Sequence, residues 1–246
     1  MTLKDTRPVR RVQRNPASAY TSTEWPYTLP AVAQLLEEGL DLPSGVTFLV
    51  GENGSGKSTL VEAIAEAYGL NPEGGSRHAR HRSRESESPL AQALQLVKSP
   101  GGGTWSFFLR AEAMHGYYTY AEGLDGSNDP AFHEMSHGES FLEVLRRKFD
   151  APGFYLMDEP EAALSFRSSM TLVAMLADMH RVGSQVVIAT HSPLLCSLPG
   201  ATVIEVGEHG LREIAWEDLQ LVQDWRSFLD RPQSWLRHLV EPDDAS

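Results

Sequence analysis

Short apolar runs alternate with stretches of helical spacing along most of the chain. Val46-Thr47-Phe48-Leu49-Val50, Phe154-Tyr155-Leu156-Met157 and Gln185-Val186-Val187-Ile188-Ala189-Thr190 are nearly continuous and short, the pattern of strands buried on both faces. Thr104–Leu109 predicts a further strand, ending at Arg110-Ala111-Glu112. Helical periodicity predicts amphipathic helices over Leu60–Tyr68, closed by Gly69, over Phe141–Phe149, and over about 168–182, broken by Gly183. Shorter helical patterns occupy Ala31–Leu40 and Leu90–Val97, and 113–135 reads as loop and short helix. Thr202–Val206 and Leu211–Trp216 predict a hairpin around Glu208-His209-Gly210. The end, Glu217–Val240, reads as helical, with Trp225, Phe228, Leu229, Trp235, Leu236 and Leu239 as packing anchors or, if exposed, a stripe for a partner.

The chemistry sits where these strands end. After Val50 comes Gly51-Glu52-Asn53-Gly54-Ser55-Gly56-Lys57-Ser58-Thr59, a complete G-x-x-x-x-G-K-[ST] phosphate loop between a strand and a helix. Its glycines let backbone N–H groups converge on a triphosphate at a helix N-terminus, where unpaired donors and the helix dipole favour negative charge. Lys57 is expected to reach the outer phosphates and the Ser58 hydroxyl to ligate Mg²⁺. After Met157 come Asp158 and Glu159, costly at an apolar strand end unless a metal or polar ligand receives them. Asp158 is expected to hold Mg²⁺ through water, and Glu159 to orient and polarise an attacking water. His191 ends the strand after Ser184 at the same edge, where it would meet a γ-phosphate. Ser136 and Glu139 stand at capping-box spacing before the helix at 141.

Composition narrows the setting. No apolar run approaches the roughly 20 residues of a membrane span, and the N-terminus has no signal-peptide core. The single cysteine, Cys196, excludes an intrachain disulfide, so a cytoplasmic, reducing compartment is expected. Net charge is −12, but residues 1–84 carry 10 Lys and Arg against 9 Asp and Glu, so any nucleic-acid contact belongs to the N-terminal third. Two basic stretches lie there: residues 1–19, a flexible basic arm or a phosphate-backbone contact, and Arg77–Arg84, a solvated loop or an anion contact. Trp25 and Tyr27 are read as core residues, with stacking on adenine as the alternative.

Taken in order, the phosphate loop, Ser136-His137-Gly138-Glu139, Asp158-Glu159, Ala163-Leu164-Ser165 and His191 resemble the ABC-type ATPase superfamily, and within it the small AAA-family or recombination-type ATPases. The resemblance implies an α/β fold: a three-layer P-loop NTPase with a largely parallel central sheet and a short helical insertion. Residues 20–246 would form one ABC-type ATPase domain, with the signature-bearing insertion at about 113–150. It implies ATP and Mg²⁺ as cofactors, and an ATP-dependent homodimer in which Ser136 and Gly138 of one chain touch the γ-phosphate held by the other. The work expected is DNA maintenance or defence, with DNA or a protein as partner and no membrane contact. A slow regulatory ATP switch is the alternative. A transporter subunit is disfavoured by the 23 residues between Glu112 and Ser136, too few for the usual helical subdomain. Two positions depart from the family pattern: Arg110-Ala111-Glu112 stands where a glutamine is common, and His137 replaces a signature glycine.

Overall fold

Strands that are apolar at nearly every position end up sandwiched, and here they make the centre of a six-stranded sheet. The computed structural model describes residues 7–71, 74–75, 88–100, 105–114, 137–149 and 151–240. In chain order the elements are β1 (Val9–Arg14), α1 (Pro30–Glu38), β2 (Leu40–Asp41), β3 (Gly45–Val50), α2 (Lys57–Tyr68), α3 (Pro89–Ala93), β4 (Leu94–Lys98), β5 (Trp105–Arg110), α4 (His137–Lys148), β6 (Gly153–Asp158), α5 (Phe166–Arg181), β7 (Gln185–Thr190), β8 (Thr202–Gly207), β9 (Gly210–Glu213), α6 (Gln220–Asp230) and α7 (Pro232–Val240). The central sheet runs β5-β6-β7-β3-β8-β9, parallel throughout except for the β8–β9 hairpin.

Side chains alternate across this sheet and feed two cores. Leu49, Phe154, Leu156, Val187 and Ala189 face α1, α2 and a second, three-stranded sheet of order β2-β1-β4, while Phe48, Val50, Tyr155, Met157 and Ile188 face α4 and α5. The result is three layers around a mostly parallel sheet, the α/β P-loop NTPase arrangement that the sequence predicts.

Local readings differ from the structure in four places, the last of them Trp25, read as a core residue. Residues 1–19 were expected to form a flexible basic arm, yet β1 lies within them, pairs with β2 and β4, and buries Val9 and Val12 completely. The helix expected over Leu90–Val97 stops at Ala93, and Leu94–Lys98 turns into β4 because β1 offers it an antiparallel ladder. Leu90, Leu94 and Val97 have helical spacing, but a distant strand partner outweighs local periodicity. The C-terminal aromatics are the third case: Trp225, Leu229, Trp235 and Leu236 are exposed. Trp225 and Leu229 line an apolar trough of about 610 Å³ with Phe166, Met170 and Trp216. Tyr27 is in the core with its hydroxyl donating to Pro89 O, whereas Trp25 is exposed.

One buried polar side chain ties β1 to the central sheet. Gln185, at the start of β7, donates through Nε2 to Val9 O (2.7 Å) and Pro43 O (2.9 Å) and accepts from Val9 N (3.0 Å). Removing it would leave those buried backbone groups without partners. Gln185→Ala is therefore expected to cost about 2 to 4 kcal/mol of stability, read in a melting experiment as a Tm lower by roughly 4 to 16 °C. An unchanged Tm would mean that the ladder with β4 holds β1 alone.

Candidate functional site

Strand register gathers the site. Parallel pairing sets Arg110 opposite Asp158, Asp158 opposite Ala189 and Val50 opposite Thr190, so β5, β6, β7 and β3 end side by side. Ligands of open α/β sheets bind beyond such carboxyl ends, where loops leave the sheet.

The phosphate loop joins β3 to α2. Gly56 is the N-cap of α2 at φ +101°, a left-handed conformation that favours glycine, and no side chain caps the helix there. That leaves the helix start open to an anion. Gly51 has a different reason for being glycine: a Cβ there would lie 2.1 Å from Val206 O, so the path of β8 excludes any side chain. Lys57 opens α2, is 3% exposed, and donates from Nζ to Glu52 O at 2.8 Å. Burial lowers its pKa, while Glu159, Asp158, Glu161 and Glu52 pull it back up. Glu52, Asn53 and Gly54 are exposed at the loop tip, and Ser55, Ser58 and Thr59 are half-buried.

Asp158 lies on the β6 end of this cluster, nearly buried. Burial pushes its carboxyl pKa up, while the Ser58 hydroxyl and the Arg110 guanidinium hold it down. Its Oδ1 is buried without a hydrogen-bond donor. An orphaned carboxylate oxygen beside a serine hydroxyl suits a hard cation, and Mg²⁺ typically takes one or two protein oxygens plus substrate phosphates. Ser58 and Asp158 fit that demand. Among the described residues no cluster of three or more His, Cys, Asp or Glu could hold a metal unaided.

Glu159 follows in the left-handed region at φ +46°, the one non-glycine with positive φ among the described residues. Such strain costs about 1 to 3 kcal/mol and clusters at functional sites. Its N–H donates to Ala189 O at 2.9 Å, and His191 Nδ1 stands 3.6 Å from its Oε1. Lys57, Ser58, Asp158, Glu159 and His191 thus meet at one edge of the sheet.

Comparisons with known proteins find AAA domain families and ATP-binding proteins. An AAA domain family matches residues 32–93, and a second AAA domain family, whose description names an AbiEii toxin and a type IV TA system, matches 131–197. Ribose import ATP-binding protein RbsA 2 of Rubrobacter xylanophilus is 31% identical over 182 residues, 63% of this chain and 35% of that protein. This chain therefore spans about a third of that relative's length. Hemin import ATP-binding protein HmuV of Gloeobacter violaceus is 23% identical over 75% of this chain and 76% of its own. Cytochrome c biogenesis ATP-binding export protein CcmA of Pseudomonas putida is 28% identical over 71% of this chain and 91% of its own. The fold matches a metal-chelate type ABC transporter in an inward-facing conformation, with TM-score 0.50 and 13% identity over 91% of this chain and 89% of that one.

These matches support an ABC-type P-loop ATPase superfamily member.

The signature-like segment lies at the start of α4. Ser136 lies outside the described residues, as does the Arg77–Arg84 run. Gly138 is described, and its α carbon faces this chain's own 3₁₀ turn at Pro160–Ala163, where a Cβ would come within 3.2 Å of Ala163 O. Where the family commonly has glutamine, Arg110 bridges Glu62 at 2.8 Å, Glu112 at 3.6 Å and Asp158 at 3.8 Å. Burial pushes the Glu62 carboxyl up in pKa and Arg110 opposes it. Arginine here supplies charge to the acidic cluster, which glutamine could not.

Two participants escaped the sequence reading. Glu62 is one, read only as a helix position. Glu161 is the other: its Oε1 accepts from Thr190 Oγ1 at 2.5 Å and from His191 N at 2.8 Å. A third acidic residue just after Asp158-Glu159-Pro160 was the one available signal, and partners 29 and 30 residues away made it unreadable.

Proposed function

We propose that this ABC-type ATPase binds Mg²⁺-ATP, pairs head to tail with a second copy around the nucleotide, and hydrolyses it in DNA maintenance or defence. The observation that supports the reading best is the convergence of Lys57, Asp158, Glu159 and His191 on the open N-terminus of α2. Lys57 would neutralise the outer phosphates. Glu159 would take a proton from the water attacking the γ-phosphorus as the bond to ADP breaks, and His191 would hold the γ-phosphate oxygens. A magnesium ion held by Ser58 and Asp158 supplies further neutralisation of phosphate charge when bound.

The second copy would bring Ser136 and Gly138 to the same γ-phosphate. Contacts that exist only while that phosphate does make the dimer a switch that hydrolysis releases. Defence is favoured by the description of the family matching residues 131–197. A transporter role is the second reading, favoured by the import and export names of the relatives; co-purification with a membrane permease would support it. No helix among the described residues is long and apolar enough to cross a membrane.

ATP turnover and oligomeric state, measured on the purified chain with and without duplex DNA, test the proposal. Magnesium-dependent turnover, a dimer on ATP and faster turnover with DNA are expected. Turnover indifferent to DNA would remove the DNA role, and tight ATP binding with negligible turnover would favour the regulatory switch.

A further inference from the structure

We infer that Glu161 is a positioning residue that sets His191 against Glu159. The inference rests on the reading above, in which Glu159 and His191 act at the γ-phosphate. The β6–β7 ladder has its last pair at Asp158 and Ala189, followed by one more bond from Glu159 N to Ala189 O. Beyond it the two chains diverge, β6 into a 3₁₀ turn at Pro160–Ala163 and β7 into the loop carrying His191. Glu161 Oε1 bridges that gap by accepting from Thr190 Oγ1 and His191 N. Thr190 Oγ1 in turn accepts from Ser192 N at 3.0 Å, so one carboxylate organises three consecutive residues.

The imidazole of His191 is shared between two carboxylates. Its Nδ1 lies 3.5 Å from Glu161 Oε1 and 3.6 Å from Glu159 Oε1. The Glu161 side chain is only 10% exposed, and its Oε2 is buried without a donor. A carboxylate desolvated to that degree costs the fold stability, and sites that orient reacting groups are where such costs persist. Its charge also bears on buried Lys57. Glu161 therefore couples the turn that presents Glu159, the loop that presents His191 and the lysine between the phosphates and the sheet.

Three substitutions separate positioning from bulk support. Glu161→Gln keeps an acceptor oxygen at full reach, Glu161→Asp is one methylene shorter, and Glu161→Ala has no acceptor. For Glu161→Ala, kcat for ATP is expected to fall about 30- to 100-fold with KM within about threefold, the scale of a misplacement near 1 Å. Glu161→Asp should resemble it, and Glu161→Gln should regain most of the rate. Hydrogen exchange of the His191 amide, read by NMR, tests the clamp without reference to turnover. It should accelerate at least about tenfold in Glu161→Ala and stay protected in Glu161→Gln. Wild-type kcat in Glu161→Ala, an equal loss in all three variants, or unaltered His191 exchange would overturn the inference. Absence of turnover in the wild-type chain would instead defeat the parent reading, with the exchange result still deciding whether the clamp exists.

Discussion

Lys57→Ala is expected to weaken ATP binding by about 30- to 4,000-fold. The reason is the company Lys57 keeps. The residue is 3% exposed and its charge bears on Glu159, Asp158, Glu161 and Glu52, while Arg110 is engaged with Glu62, Glu112 and Asp158. Take away the lysine charge and a triphosphate must enter a pocket whose nearest groups are carboxylates. Truncating one partner of a buried charge cluster costs about 2 to 5 kcal/mol, and each 1.4 kcal/mol is tenfold in Kd. The bond from Nζ to Glu52 O also closes the loop on itself, so its loss loosens the cradle before ligand arrives. Calorimetric titration with ATP checks the expectation. An affinity equal to wild type would place the phosphates somewhere other than the 51–59 loop.

Glu159→Gln should separate binding from chemistry. The amide has nearly the same shape, so the left-handed backbone at φ +46° and the bond to Ala189 O need not change. What disappears is a base able to take a proton from the attacking water. Loss of a positioned general base costs about 10²- to 10⁴-fold in kcat, or about 3 to 5 kcal/mol of barrier. ATP affinity should persist, and the ATP-bound dimer, no longer opened by hydrolysis, should accumulate as an earlier peak in size-exclusion chromatography. Turnover equal to wild type would remove Glu159 from catalysis, while lost turnover without a trapped dimer would count against the head-to-tail assembly alone.

Arg110 shows how a departure from a family pattern gains meaning only in three dimensions. In the sequence it is a misfit where glutamine is common. In the fold, parallel register sets it opposite Asp158, and it balances three acidic side chains. Glu161 makes the same point from the other side, because an acidic residue in a turn has no visible role until Thr190 and His191 are brought to it. The segment at Leu94–Lys98 repeats it at the level of secondary structure: local spacing spoke for helix, and pairing with β1 made it strand.

By itself the sequence determined the phosphate loop, the nearly continuous apolar strands, and the acidic and histidine residues at their ends. These are legible because each depends on residues close together in the chain: a glycine where φ must be positive, a lysine one residue later, a charge that an apolar strand cannot keep for itself. Tertiary structure decided the β1–β4 sheet, the Gln185 tie, the clash that makes Gly51 obligatory, and the network through Arg110, Glu62 and Glu161. Those depend on hydrogen bonds and ion pairs between residues far apart in the chain, which no local pattern encodes and which only the register of adjoining strands brings within reach.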